Sequence, residues 1–283
     1  NTTIDSVDFL NAKVPDNNGA GIRDEHKSGE LRVLNSGFYD NQNGILTANF
    51  DDTELRVINS TFDKAPHDEL GLHHLLYVGR IKHFVLEGSH LQRGYRGHLV
   101  KSRARLNEVR YNLLSDGPEG AASYELEFPE GGVAVVTGNV IAQSAASGNP
   151  VVIGYGAEAG NRPVNRLFLS HNTLINKGIR PAWFVRAWTD KLPAGTEIVT
   201  RNNLTVGSGV LTLLLPGDHR GNYMLPPGAI DPDKLELTPA PDSWLRGRLS
   251  RAETLGGTEL APRAEFAFPA GTQPLSQPPV WTP

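Results

Sequence analysis

One eleven-residue pattern recurs along most of the chain and limits what it can become. It reads LRVLNSGFYDN at 31–41, LRVINSTFDKA at 55–65, FVLEGSHLQRG at 84–94, NEVRYNLLSDG at 107–117, AVVTGNVIAQS at 134–144, RLFLSHNTLIN at 166–176 and EIVTRNNLTVG at 197–207. Each copy carries two alternating apolar residues, a small or amide residue, then a second alternating apolar pair. Short apolar runs with period two, bounded by turn residues, are strand signals. Asn35 and Asn59 lie 24 residues apart, and later intervals are longer, as when loops are inserted on one side of a repeating turn. The segments are β-branched and broken by Gly and Asn, which sets helical repeats aside.

Stacked parallel β coils fit this pattern, so the fold is expected to be all-β, a parallel β-helix (solenoid) of seven to eight coils over residues 1–215. Each coil buries its apolar edge only against its neighbours, and equivalent residues stack ~4.8 Å apart, giving a rod on the order of 35 Å long. The asparagines Asn35, Asn59, Asn112, Asn139, Asn172 and Asn203 are expected at a bend, tolerating left-handed backbone and bonding the next coil. Residues 216–283 differ, with 12 of the 20 prolines and little strand pattern. They read as a tail or cap packed on the helix, with PDSWLRGRL as a short helix begun by Asp242 or Ser243. No amphipathic helix covers the first coil, so the natural chain is expected to begin upstream of Asn1.

Composition narrows the function. Without cysteine there is neither a disulfide framework nor cysteine-ligated zinc, and no other residue pattern calls for a metal or a cofactor. No apolar run approaches membrane-spanning length. A net charge of −4 argues against nucleic acid as a partner. The charge is uneven, however: between Arg80 and Arg110 eight Lys or Arg accompany two Glu, leaving −10 for the rest of the chain. Such a basic strip suggests an anionic ligand. The oligomeric state is left open.

Six of the nine histidines fall between His67 and His98, which makes 73–130 the expected working region. Stacked coils would bring His73 and His74, then His98, Lys101 and Arg103, then Tyr124, Glu125 and Glu127 into one patch. Strict alternation turns Leu126 and Phe128 inward and Glu125 and Glu127 outward, with Leu99, Lys101 and Arg103 outward in the preceding coil. His98 and Lys101 then face opposite ways unless a bulge intervenes. The charged set can equally be a surface ladder of ion pairs, each contributing ~0–1 kcal/mol. His83 and His90 read as solvated, and His171 as a satisfied inward residue. Trp183 and Trp188, at odd spacing, are expected on opposite faces if the strand is regular, either as a platform for a sugar or packed under a loop.

The segments NGAGIRDE, NQNGILTAN, HHLLYVGRI, GHLVKSRA, SYELEFPEGG and SHNTLIN, between about residues 15 and 210, resemble bacterial right-handed parallel β-helix repeat proteins of the pectate-lyase-like superfamily. KSRARLNEVRYN is similar to the Lys-Ser…Asn…Arg-x-Asn strand pair of the chondroitinase B and alginate lyase family, which implies Lys101 as the catalytic base. The asparagine here follows the lysine by six residues rather than four, GYRGHLV lacks the family's acidic calcium ligands, and SYELEF replaces its catalytic arginine with Glu125 and Glu127. APHD at 65–68 resembles the DPHD motif of alginate C5-epimerases. Both resemblances imply proton abstraction beside a uronate carboxylate, needing a cation (Arg103 or Arg96), a base (Lys101 or a His) and a proton donor (His74 or Tyr77). The leading expectation is a secreted or periplasmic bacterial polysaccharide lyase acting on an acidic polysaccharide by β-elimination. Lys101, His74, Arg103, Tyr77 and Glu125 would be catalytic, and His73, Arg96, His98, Tyr124, Glu127 and Arg80 would bind substrate. The alternatives are a glycoside hydrolase pairing Glu125 with Glu127 or Asp116, a C5-epimerase, and a non-catalytic β-helix that holds an acidic glycan.

Overall fold

The computed structural model describes residues 1–68, 71–158 and 162–276. The repeated strands stack in register into three parallel sheets, two of nine strands and one of eight, which together form a β-solenoid. Sheet A runs from Thr2–Asp5 through Gly29–Leu34, Thr53–Ile58, His83–Glu87, Leu106–Arg110, Val133–Thr137, Arg166–Ser170 and Glu197–Arg201 to Asp218–Arg220. Sheet B begins at Asp8–Leu10 and ends at Tyr223–Leu225, so both sheets continue past residue 215 and their last strands come from the start of the Pro-rich segment. Sheet C comprises Ala20–Asp24, Asn43–Thr47, His74–Val78, His98–Ser102, Tyr124–Phe128, Val151–Tyr155, Ala182–Ala187 and Gly209–Val210.

The core is a set of columns, because parallel register places equivalent residues over one another. On sheet A, Val33, Val57, Leu86, Val109, Val136 and Leu169 are successive partners, all buried. On sheet B, Phe9, Phe38 and Phe62 stack with ring centroids 4.9 and 4.4 Å apart. Each fully buried aliphatic or aromatic side chain stabilises the fold by about 1.5–3 kcal/mol.

The bend between sheets A and B uses two positions where one was expected. Asn35 and Asn59 take the left-handed conformation, at φ 48° and 50°, a place held in later coils by Gly88, Tyr111, Gly138, His171, Asn202 and Gly221. The next residue builds a ladder instead: Ser36, Ser60 and Ser89, then Asn112, Asn139, Asn172, Asn203 and Asn222. Each asparagine Oδ1 from Asn139 to Asn222 accepts both the backbone N–H and the Nδ2–H of the asparagine one coil earlier. Asn35 and Asn59 are therefore bend residues, and the other four are rungs.

The Pro-rich segment beyond Leu225 lies along the rod. Ile230, Leu245 and Phe266 pack on the outward side chains Leu113, Val140, Ile175, Leu204 and Val206 of sheet B. Ala252 and Leu260 pack on Val135, Phe168 and Val199 of sheet A. PDSWLRGRL forms turns, not the expected helix, with Leu245 fully buried in the sheet B cluster. No residue of this segment joins a buried cluster on the outer face of sheet C among the described residues.

Candidate functional site

Sheet C departs from strict alternation in a way that assembles the site. Leu75 and Leu76, Leu99 and Val100, and Val152 and Ile153 are adjacent pairs whose members both lie in the core. Two consecutive inward residues put the ones flanking them on the same outer face. His74, His98 and Tyr124 form one outward column, and Tyr77, Lys101 and Glu127 a second. His98 and Lys101 are thus neighbours, and Leu99, expected outward, is a core residue with 0% exposure.

The same shift corrects Glu125. It occupies the place of Leu99 one coil on, is 0% exposed, and neither carboxylate oxygen has a hydrogen-bond partner. A group inside the core cannot meet a polymer from solvent, so Glu125 is no catalytic residue on this face. Asp116 is buried as well, its oxygens accepting the backbone N–H groups of Gly94 and Ala122 at 2.7 Å each. Neither carboxyl of the pair Glu125 and Asp116 is open to the outer face.

What remains on the outer face is compact. The His74 and His98 rings lie 4.7 Å apart, His98 meets Tyr124 edge-on at 4.9 Å, and His74 lies 5.2 Å from Tyr77. The His98 backbone N–H donates to His74 Nδ1 at 3.0 Å, so the neutral His74 ring carries its proton on Nε2. Burial, reinforced by the charges of Lys101 and Arg103, lowers the His74 pKa to about 3. His98 is likewise pushed well below the usual histidine value by burial, then by His74, Lys101 and Arg103. Both imidazoles are neutral at pH 7.

The cations are held by carboxylates. Lys101 Nζ lies 3.3 Å from Glu127 Oε2 and 3.2 Å from Glu158 Oε1. Arg103 donates from Nη2 to Glu158 Oε2 at 2.6 Å and from Nη1 to the Tyr77 hydroxyl oxygen. Its guanidinium carbon sits 5.2 Å from the Tyr77 ring centre. Burial raises the Glu127 pKa against the pull of Lys101. Glu158 is also penalised by burial, yet Arg103 and Lys101 bring it below the ordinary range. Lys101 and Arg103 together clamp one carboxylate whose side chain is still 46% exposed.

The other sequence-derived residues fall elsewhere. His73 has a side chain with 0% exposure and turns to Asp68, 2.6 Å from its Nε2. Arg96 lines a separate cleft with Leu72, Ala121, Ser123 and Asn149. Arg80 pairs with Glu130 at 2.6 Å, and Arg103 comes within 3.7 Å of the same carboxylate. His90 is buried against Phe266 and Phe268, and His83 lies between Glu54 and Glu108, so neither is simply solvated. His171 is buried, with the Asn202 amide 3.1 Å from its Nε2. His67 of the APHD segment stacks on Tyr95 at 4.2 Å and lines a cleft with Lys64, Asp68 and Arg93. Asn107, the candidate partner of Lys101 by resemblance, is buried, accepts from Ser102 Oγ at 2.6 Å and donates to the Ala104 carbonyl. It pins a corner of the coil.

The basic strip dissolves on folding. Lys82 pairs with Glu54, Arg93 with Asp63 and Glu119, Arg105 with Asp51, and Arg110 with Glu108, besides the pairs already described. Sequence reasoning missed Glu158 and Glu130, whose partners lie 27 to 57 residues away. Only the stacking of coils joins them.

Comparison of the chain with family models, with curated proteins and with solved structures returned no match.

Proposed function

We propose that this chain is a lyase that cleaves a uronate-containing polysaccharide by β-elimination on the outer face of sheet C. One observation carries the reading: Lys101 and Arg103 grip the Glu158 carboxylate beside the Tyr77 hydroxyl. A uronate carboxylate displacing Glu158 would meet the same two cations. Neutralising that carboxylate is what makes the adjacent C5 proton removable.

The roles follow from the contacts. Arg103 and Lys101 bind the carboxylate, and Arg103, donating to the Tyr77 oxygen, stabilises charge developing there during proton transfer. The Tyr77 hydroxyl proton passes to the departing C4 oxygen as the C4–O bond breaks, the tyrosine oxygen so freed takes the C5 proton, and the C–H electrons form the C4–C5 double bond, leaving Tyr77 neutral as it began. His74, with Nδ1 engaged, offers Nε2–H as a hydrogen-bond donor to the sugar, not as the base. Lys101, set between two carboxylates, is a binding cation in this scheme, a different role from the one the family resemblance implies.

The test is a panel of acidic polysaccharides followed by the ultraviolet absorbance of the conjugated unsaturated uronate. Wild type should generate it, and Tyr77→Phe should lose at least a hundredfold in kcat, the usual scale for a general acid–base group. Glu158→Gln should lower KM, since the competing carboxylate is gone. Reducing ends without that absorbance would mean hydrolysis and sink the proposal. Binding without any product would leave a glycan-holding β-helix.

A further inference from the structure

Most of the cations among the described residues pair with carboxylates, as Lys101 and Arg103 do, and on the outer face of sheet C Arg186 does not. Arg186 follows Lys101, Glu127 and Gly154 in the outward column of sheet C. Its side chain is exposed and makes no ion pair with a carboxylate among the described residues. Its guanidinium rests instead on the Trp188 ring, 4.7 Å from the centroid.

The strand geometry explains why these groups share a face. Phe184 and Val185 are both core residues, the same doubled inward pair seen at Leu99 and Val100. Trp183 and Arg186 therefore flank the pair on the outer side, and Trp188 stands in the register place of Arg103, with Trp183 half-buried. The strand is therefore not regular, and Trp183 and Trp188 do not fall on opposite faces as regular alternation would place them. Between the catalytic cluster and Arg186 lies Gly154, where an added Cβ would come 3.1 Å from Glu127 Cγ and 3.2 Å from Tyr124 Cε1. Gly154 is buried, and its lack of a side chain lets Glu127 and Tyr124 lie over it.

We propose that Arg186, oriented by Trp188, is a distal subsite that binds the carboxylate of a second uronate residue. It lies three coils from Lys101, roughly 14 Å along the rod. The inference rests on the lyase reading for its ligand class. Stacking on the indole fixes the guanidinium without neutralising it, so its charge is available and little side-chain freedom is lost on binding. An acidic polymer lying along sheet C would meet cations at two places separated by more than one sugar. A disaccharide does not span them.

The experiment titrates defined oligouronates, from dimer to hexamer, into the full chain in the Tyr77→Phe background, following tryptophan fluorescence. Arg186→Gln is compared with its Arg186 parent, and a neutral cello-oligosaccharide series serves as control. The hexamer should bind about tenfold more weakly to Arg186→Gln, while dimer affinity and the melting temperature stay unchanged. Equal hexamer affinity for both proteins, or no binding of any oligouronate, overturns the subsite. If the wild-type chain releases unsaturated product and Arg186 has no effect, the subsite falls and the lyase reading stands. If Arg186 sets a length-dependent affinity and no unsaturated product ever forms, the lyase reading falls and the subsite stands.

Discussion

Glu125 stands in a column otherwise made of Leu75, Leu99, Val152 and Phe184, and its charge state is set by that company. Burial pushes its carboxyl well above the ordinary range, the Asp116 charge adding to the effect. Asp116 is itself raised by burial to about 6, against the pull of two backbone N–H groups. The folded state therefore keeps protons that the unfolded chain gives up above about pH 4. The sign follows: stability from these groups is full below that pH and is lost as pH rises through their folded values. Glu125→Leu should raise the unfolding free energy by about 1–3 kcal/mol, the cost of an unsatisfied buried polar group, and by more at about pH 8 than at about pH 5. Urea denaturation at the two pH values measures this, and an equal gain at both would mean the carboxyl is not the titrating group. His74 gives a companion prediction. With a pKa of about 3, its imidazole NMR signals should not titrate between about pH 5 and 8, while a midpoint near 6.5 would contradict the buried, cation-flanked geometry.

The ladder at the bend sets how strongly each coil holds the next, and it changes chemistry along the rod. Asn139 accepts from the Asn112 backbone N–H and Nδ2–H and donates to the Val109 carbonyl and Asn172 Oδ1, each at 2.9 Å. Ser60 accepts one backbone N–H at 3.2 Å and donates to the Ile58 carbonyl at 2.9 Å. Asn139→Ala strands buried partners on both neighbouring coils and should cost about 2–4 kcal/mol, whereas Ser60→Ala should cost about 1 kcal/mol. Comparing denaturant midpoints tests the difference, and equal losses would show that the asparagines are not the stronger rungs. The ladder also marks what the sequence could show. Strands and coils were legible because apolar alternation is local, and so was the convergence of His74, Lys101, Arg103 and Glu127, which needs only parallel stacking. The places of Leu99 and Glu125 were not legible, since the doubled inward pair in sheet C depends on how the coil closes at its corners. Glu158 was hidden for another reason: its partners Lys101 and Arg103 lie more than 50 residues away.

At the scale of the whole molecule, the described part of the C-terminal segment covers the outer sides of sheets A and B, with none of its described residues in a buried cluster on the outer face of sheet C. One outward column of sheet A reads Arg32, Arg56, Val85, Glu108, Val135, Phe168 and Val199, turning from mostly charged to apolar where the segment lies over it. Around the candidate site the outward columns of sheet C carry His74, His98 and Tyr124, and Tyr77, Lys101 and Glu127, bordered by Val151 and Leu46. The segment is fastened by discrete contacts: Leu245 fully buried in the sheet B cluster, Arg201 paired with Glu253 at 2.8 Å, and the Tyr111 hydroxyl accepting from the Arg263 N–H at 3.0 Å. Coils bind only their neighbours, so a weakened segment should detach locally without unfolding the stack. Leu245→Ala should cost about 2–5 kcal/mol of docking, the range for emptying a buried leucine site. Limited proteolysis should then cut the variant within 226–276, while the β circular dichroism signal of the coils persists and their main thermal transition moves little. Exposure of Val140, Ile175 and Phe168 should also make the clipped rod bind an apolar dye. Cooperative loss of all β signal at one lowered temperature would refute the local picture, because it would mean that coils and segment fold as one unit.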